Sequence, residues 1–175
     1  MIAREYLLEA LLHEIDVCKH LFTKIPEGSF DFRLSDKQRS TLELLRYLAS
    51  CGVAPMKSLW ANDWSHYDAY EKEVENMTAE EFPAVMDRQA ESMREVFSAI
   101  SDAELENTMV KAPGVKGELP LGAAIMRTSY AWLVAYRMQL FLQVKAGGIH
   151  TIGTSNNWGG IDYKPREAVV EEEAE

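Results

Sequence analysis

The segment from Leu119 to Lys145 constrains the fold more than any other part of the sequence, because it is long, mostly apolar and helical in its spacing. One face repeats at intervals of three and four residues, as the core-facing side of a helix does. That face comprises Ile125, Ser129, Trp132, Tyr136 and Leu140. The paired glycines 147–148 that follow are typical of a helix C-terminus. A helix of this kind requires neighbouring helices that cover its apolar face.

Three earlier segments supply such neighbours. Helical periodicity predicts a first helix over 2–24, a second over 40–51 and a third over 78–100. The second and third begin with a Ser/Thr-x-x-Glu capping box, in which each end residue bonds the backbone amide of the other. Four amphipathic segments without a competing strand pattern predict an all-α fold, a four-helix bundle.

The remaining segments are less regular. Residues 27–39 are expected to be a loop, and 107–118 is interrupted by proline and glycine. The aromatic region 56–77 is expected to hold at most a short helix. The predicted division is a bundle over 1–148 and a C-terminal tail over 149–175. We expect the tail, which has no helical periodicity, to lie partly against the bundle and to end in a disordered acidic run.

Composition narrows the range of partners. The chain has 175 residues, which suits one domain, and a formal net charge of −10 from 18 basic and 28 acidic residues. That charge opposes binding to nucleic acid and to anionic membranes. The longest apolar helix is interrupted by Arg127 and Arg137, so no segment is expected to span a bilayer.

The cysteines and the N-terminus indicate the compartment. Cys18 and Cys51 are the only cysteines and do not form a CxxC motif, so we interpret them as small buried apolar residues. The N-terminal apolar run contains acidic residues and has no cleavage site, which argues against a signal peptide. These features predict a cytoplasmic protein.

Two short motifs connect the chain to a known family. The capped segment STLELLRYLA at 40–49 and the segment YAWLVAYRMQLF at 130–141 together resemble the DinB/YfiT-like four-helix bundle family. The resemblance implies an up-down-down-up bundle that is commonly dimeric. It also implies a divalent metal, held by one His on the second helix and an H-x-x-x-H pair on the last helix, followed by Arg-x-Gln. Some members of that family are metal-dependent thiol transferases.

This chain keeps the scaffold motif and lacks the ligands. Tyr47, Trp132 and Tyr136 occupy the three positions of the family's histidines, whereas Arg137 and Gln139 retain its Arg-x-Gln. Indole offers only an N–H donor, and a neutral phenol is a poor ligand. The sequence therefore predicts no metal ion and no other cofactor. Arg137 and Gln139 are expected either to bond loop carbonyls or to contact a ligand.

Two interpretations of the aromatic positions stay open. Tyr47, Trp132 and Tyr136 either fill the bundle axis as core or line a pocket for a small organic ligand, with tyrosine hydroxyls as polar groups. His13 and Glu43 also point inward in the helical pattern and complete the candidate pocket. A relocated metal site that uses His13 and Glu43 is the alternative.

The leading hypothesis is a metal-free bundle that binds a small ligand or another protein. The alternative is a divergent metal-dependent hydrolase or thiol transferase with relocated ligands, and a third hypothesis is a purely structural dimer. No catalytic constellation is identifiable. A homodimer is expected, since several aromatics exceed what one bundle needs in its core, unless the tail covers them. These aromatics are Trp60, Trp64, Tyr67, Tyr70 and Trp158.

Overall fold

The computed structural model describes residues 4–162. The helices are α1 (Arg4–Phe22), α2 (Thr41–Leu48), α3 (Val53–Ala61), α4 (Ser65–Val74), α5 (Phe82–Ala99), α6 (Asp102–Asn107), α7 (Leu121–Ile125), α8 (Ala131–Ala146) and α9 (Thr154–Gly159). A π-helical stretch, Met126–Tyr130, joins α7 to α8, so the three form one continuous helix. Strand β1 (Met109–Val110) pairs antiparallel with β2 (Leu119–Pro120).

The bundle has four members: α1, the α2–α3 pair, α5, and the continuous helix from α7 to α8. Helix α1 packs against α5 and α8, while α2 packs against α8, and α3 packs against both α5 and α7. Leucine, methionine and other apolar side chains from all four members form one buried cluster. This arrangement is the all-α bundle that the four amphipathic segments predict.

The capping boxes predicted at the starts of α2 and α5 form to different extents. At α2 the predicted box is complete: the Glu43 amide donates to Ser40 Oγ at 3.2 Å, and the Ser40 amide donates to Glu43 Oε2 at 2.7 Å. At α5 only half of the box forms, with the Thr78 amide bonded to Glu81 Oε2 at 2.8 Å. Helix α5 begins later than predicted, at Phe82, because the following proline is suited to the first turn of a helix.

The segment after α2 is more helical than its sequence predicts. Helix α2 ends at Leu48, earlier than expected, and a short turn leads into α3 and α4, where only one short helix was expected. Pro55 does not stop a helix here; it lies in the first turn of α3, where a missing N–H does no harm. The mixed aromatic and charged composition of 56–77 obscured these two helices.

A buried glutamine fixes the α2–α3 turn. Gln89 of α5 accepts from the amides of Gly52 and Val53 at 3.0 and 3.1 Å and donates to the Leu48 carbonyl at 3.0 Å. A side chain on Gly52 would lie 2.8 Å from Leu133 Cδ1, so glycine permits the close approach to α8. The turn is therefore hydrogen-bonded to α5 and packed closely against α8.

Two further segments differ from the predictions. The span 107–118, expected to be irregular, contains β1 and is followed directly by β2. Both strands are too short to show the alternating pattern of a strand in the sequence. The tail, expected to lack helix, contains α9, which packs on α1 and α8. The acidic run at 171–175 lies outside the described residues. The domain division at Gly148 stays a prediction.

Candidate functional site

The tyrosines at two of the candidate positions meet between α2 and α8. The ring centroids of Tyr47 and Tyr136 lie 4.5 Å apart with planes at 61°. Trp132, one turn before Tyr136, packs edge-on against Tyr67 of α4, with centroids 6.3 Å apart. We call these four residues the aromatic cluster. All four are half-buried, and Tyr47, Trp132 and Tyr136 pack against the buried core of the bundle.

Partial burial keeps the phenols of Tyr47 and Tyr67 neutral. Burial raises the pKa of Tyr47 above its ordinary value, and the nearby Cys51 and Tyr67 act in the same direction. Burial also raises the pKa of Tyr67 to about 12, with a further upward effect from Glu71, while its hydrogen-bonding contact with Tyr47 acts in the opposite sense. Both hydroxyls therefore serve as neutral hydrogen-bonding groups near pH 7.

Arg39, in the segment before α2, covers the rings of Tyr47 and Tyr136. Its guanidinium carbon lies 4.2 Å from the Tyr47 ring centroid and 5.5 Å from that of Tyr136, which is the geometry of a cation–π contact. Gln143 Nε2 donates to the Arg39 carbonyl at 3.3 Å, and Gln139 Nε2 donates to Gln143 Oε1 at 3.2 Å. Gln139 of the Arg-x-Gln motif thus helps to hold the backbone that carries Arg39.

A shallow groove of about 190 Å³ opens beside Tyr47, and we call it the Tyr47 groove. Helix α2 and its flanking residues contribute Arg39, Glu43, Arg46, Tyr47 and Ser50. Helix α4 and the residue after it contribute Glu71, Val74 and Glu75. Candidate residues Tyr47 and Glu43 therefore share one groove, which lies at the surface beside the bundle axis.

Glu43 is already engaged within that groove. Its carboxylate accepts from the Ser40 amide and from Arg33, whose Nη1 donates to Oε2 at 2.8 Å and Nη2 to Oε1 at 3.2 Å. These contacts, with Arg33 the largest, hold the pKa of Glu43 below its usual range. Glu43 is therefore a charged, exposed capping residue and not an inward-pointing group.

His13 lies elsewhere, on the exposed side of α1. Its Nε2 donates to the carbonyl oxygen of Trp158 in α9 at 2.7 Å. The structure therefore does not place His13 in the Tyr47 groove, and the pairing of His13 with Glu43 that a relocated metal site needs is not formed.

Arg137 of the Arg-x-Gln motif is completely buried between α1, α8 and α9. Its Nε donates to Glu14 Oε2 at 2.7 Å, and its Nη1 donates to the Asn157 carbonyl at 2.8 Å and to Asn157 Oδ1 at 2.7 Å. The Trp158 ring lies over the guanidinium at 4.8 Å. Sequence reasoning missed Glu14 and Asn157. Glu14 carried a signal, because it is an acidic residue beside the apolar stripe of α1.

Comparison with known proteins bears on the fold. No protein-family model and no curated protein matches the sequence. The crystal structure of a DinB-like protein, YjoA from Bacillus subtilis, superposes with a TM-score of 0.68 at 13% identity, covering 85% of this chain and 96% of that one. The chain has the DinB-like fold. The resemblance inferred from the two motifs is thereby confirmed at the level of the fold.

The residues at the positions where the sequence resemblance implies metal ligands do not fit a metal ion. Indole has no acceptor nitrogen, and the raised pKa of Tyr47 disfavours the phenolate that could act as a ligand. Within residues 4–162, no three His, Cys, Asp or Glu side chains cluster closely enough to hold a metal. Cys18 and Cys51 are buried, and burial raises the pKa of both thiols, which disfavours the metal-binding thiolate.

No helix within residues 4–162 of this DinB-like fold combines the length and the apolar character that crossing a bilayer requires.

Proposed function

We propose that this DinB-like chain is a metal-independent protein that binds a small organic ligand in the Tyr47 groove. One observation carries the proposal: the ring of Tyr47 is paired with Tyr136 in the bundle and also belongs to the wall of a groove that opens to solvent. The resemblance implies a metal ligand at the position of Tyr47. The proposed site therefore lies where the family's metal site does, but it binds an organic ligand and not a metal.

The surroundings of Tyr47 favour a ligand over mere packing. Tyr47, the one aromatic among the described residues that line the groove, offers a ring for apolar contact and a neutral hydroxyl for a hydrogen bond. Arg39 adds a cation whose backbone is held by Gln143. A volume of about 190 Å³ lies below the range of drug-sized pockets, so the ligand is small.

The alternative of a divergent metal-dependent hydrolase or thiol transferase gains no support. It requires relocated ligands, and His13 and Glu43 are engaged separately, with Trp158 and with Arg33. The purely structural alternative does not explain why Tyr47, which packs against the core, also lines a groove that opens to solvent. Self-association is proposed separately and tested below.

The test is a small-molecule screen on the ¹⁵N-labelled protein, followed by NMR, with EDTA present throughout. Ligands are expected to shift the amide signals of 39–50 and 71–75 and to lose affinity in Tyr47→Ala. Tyr6→Ala, which removes an exposed tyrosine on α1, is the matched control and should bind normally. Binding that EDTA abolishes, or a screen without any groove ligand, would refute the proposal.

A further inference from the structure

The two walls of the Tyr47 groove carry opposite charges that the fold leaves unpaired. Arg39 and Arg46 lie on the α2 side, and Glu71 and Glu75 lie on the α4 side. None of the four forms an ion pair within residues 4–162. Glu43, by contrast, is neutralised by Arg33. The lining of the groove therefore includes two arginines and two carboxylates that have no ion-pair partner among residues 4–162.

Each wall is held in place by contacts that leave its charges available. Arg46 uses Nε to donate to the Met77 carbonyl at 2.9 Å, which leaves its terminal nitrogens available. Arg39 rests its guanidinium face on Tyr47, so the N–H edge is free to donate. On the other wall, α4 packs against both α3 and α2. A ligand would meet donors on one side and acceptors on the other.

The floor between the walls is apolar. Tyr47 is half-buried and Val74 is 5% exposed, so the centre of the groove offers an aromatic ring and an aliphatic side chain. At about 30 Å³ per water molecule, a volume of about 190 Å³ holds roughly six waters. That space suits one compact molecule better than a nucleotide or an extended peptide.

From this arrangement we infer that the Tyr47 groove binds a zwitterion of the α-amino-acid class. Its carboxylate pairs with Arg39 and Arg46, and its ammonium group pairs with Glu71 and Glu75. The inference rests on the proposed function and adds the class of ligand to it.

Other ligand charges are less compatible with the site. A phosphate or dicarboxylate would be attracted by the arginines but repelled by Glu71 and Glu75. A simple amine would be attracted by the glutamates but repelled by the arginines. A zwitterion satisfies both walls at once, with charge-assisted hydrogen bonds at each end. Each end of the zwitterion meets two charged groups near solvent, so each end is expected to contribute about tenfold to the affinity, or about 1–2 kcal/mol, less than a buried ion pair would.

The probes are the twenty standard L-amino acids, followed by two analogues of the tightest binder. One analogue lacks the amino group and the other lacks the carboxylate. The inference predicts groove-localised NMR shifts for at least one amino acid and at least tenfold weaker binding of both analogues. This loss corresponds to about 1.4 kcal/mol at each end.

Two variants locate the ends of the ligand. Arg39→Gln should weaken binding of the amino acid about tenfold without affecting the analogue that lacks the carboxylate. Glu71→Gln should weaken it similarly without affecting the analogue that lacks the amino group. Arg94→Gln and Glu91→Gln, in an exposed pair on α5, are the matched controls and should bind as the parent does.

The outcomes separate the two proposals. If groove ligands are found but carry one charge or none, or if either analogue binds as well as the amino acid, the zwitterion inference falls and the proposed function stands. If no compound of any class shifts the amide signals of the groove, both the zwitterion inference and the proposed function fall. That outcome is expected if the arginines and glutamates pair with each other across the groove.

Discussion

Arg137 on α8 and Glu14 on α1 form a buried ion pair, with Arg137 Nε donating to Glu14 Oε2 at 2.7 Å. The Arg137 side chain is 0% exposed and that of Glu14 is 7% exposed. Asn157 satisfies Nη1, while Nη2 has no partner among the described residues. The retained arginine of the motif thus joins the first and last helices of the bundle to the C-terminal segment.

The first prediction concerns this pair. Arg137→Met should lower the free energy of unfolding by about 3–5 kcal/mol, because it leaves the Glu14 carboxylate buried without its counter-charge. Urea unfolding followed by circular dichroism measures the change.

The double variant Glu14→Leu with Arg137→Met should recover most of that loss, because an apolar pair of similar volume is commonly tolerated in place of a buried ion pair. Arg94→Met, in an exposed pair, is the control and should change stability by less than about 1 kcal/mol. A double variant as unstable as the single one would show that the arginine acts through Asn157 and not through Glu14.

The second prediction concerns His20, which faces the C-terminal segment. Asn156 Nδ2 lies 3.0 Å from His20 Nε2. The Gly153 backbone amide donates to Asn156 Oδ1, which fixes the orientation of the Asn156 side chain. Asn156 Nδ2 therefore donates, and Nε2 of the neutral His20 ring accepts. Burial and then Lys24 lower the pKa of His20 below its usual 6.5, although Asp162 opposes them.

Because the unfolded chain binds the proton first as the pH falls, the stability contributed by His20 is present above pH 6.5 and is lost as the pH drops through the folded pKa. His20→Gln keeps an acceptor and does not titrate. The difference in unfolding free energy between the parent and His20→Gln should therefore decrease on acidification from neutral pH, as measured by urea unfolding. A difference that is constant with pH would contradict the lowered pKa.

The third prediction concerns alkaline pH. Tyr67 keeps its proton to about pH 12 in the folded protein, whereas in the unfolded chain it ionises near 10. The unfolded state therefore binds fewer protons between these values, and the free energy of unfolding falls as pH rises through this range. Tyrosinate absorbance should show a late-titrating component that Tyr67→Phe diminishes. Tyr6→Phe, at an exposed position, is the control and should leave the late component of Tyr67 in place.

The fourth prediction distinguishes Trp132 from its neighbour Leu133. Emptying a fully buried aromatic site costs about 3–5 kcal/mol, and Trp132→Ala should cost less because the indole is half-buried. Leu133→Ala, at a fully buried position, should cost about 2–5 kcal/mol. Chemical denaturation of both variants is the measurement. A loss for Trp132→Ala that reaches the upper range would favour the interpretation of this residue as packed core.

Local signals explain what the sequence predicts well. Helical periodicity and the Ser40 capping box act over a few residues, so the bundle helices and the start of α2 are predictable. The short helices α3, α4 and α9 have mixed composition and depend on tertiary packing, which local patterns do not contain. The π-helical stretch before α8 is likewise not predictable from α-helical periodicity.

The candidate site shows the same limit. The two motifs place Tyr47 and Tyr136 on helices of the bundle, and in the structure their rings meet. His13 was expected nearby because it shares a helical stripe, yet its partner is the Trp158 carbonyl, 145 residues away in sequence. Glu14 and Arg137 are separated by 123 positions, and no local pattern specifies which charge a buried carboxylate will meet.

The last prediction is that the chain forms a homodimer through the face of α3 and α4. Trp60 is 37% exposed, and Trp64, Tyr67 and Tyr70 beside it are half-buried, which leaves an aromatic surface of the kind enriched in interfaces. Trp158, grouped with them in the sequence prediction, lies instead on α9 over Arg137.

Light scattering at micromolar concentrations should therefore give a dimer mass for the full chain and a monomer mass for Trp60→Lys, because a charge at the centre of an aromatic interface is costly to desolvate. Trp158→Lys is the matched control and should stay dimeric, since α9 packs on α1 and α8, away from the proposed face. A full-length monomer would reject self-association. A truncation after Gly148 that alone self-associates would show that the tail covers the aromatic surface within one chain.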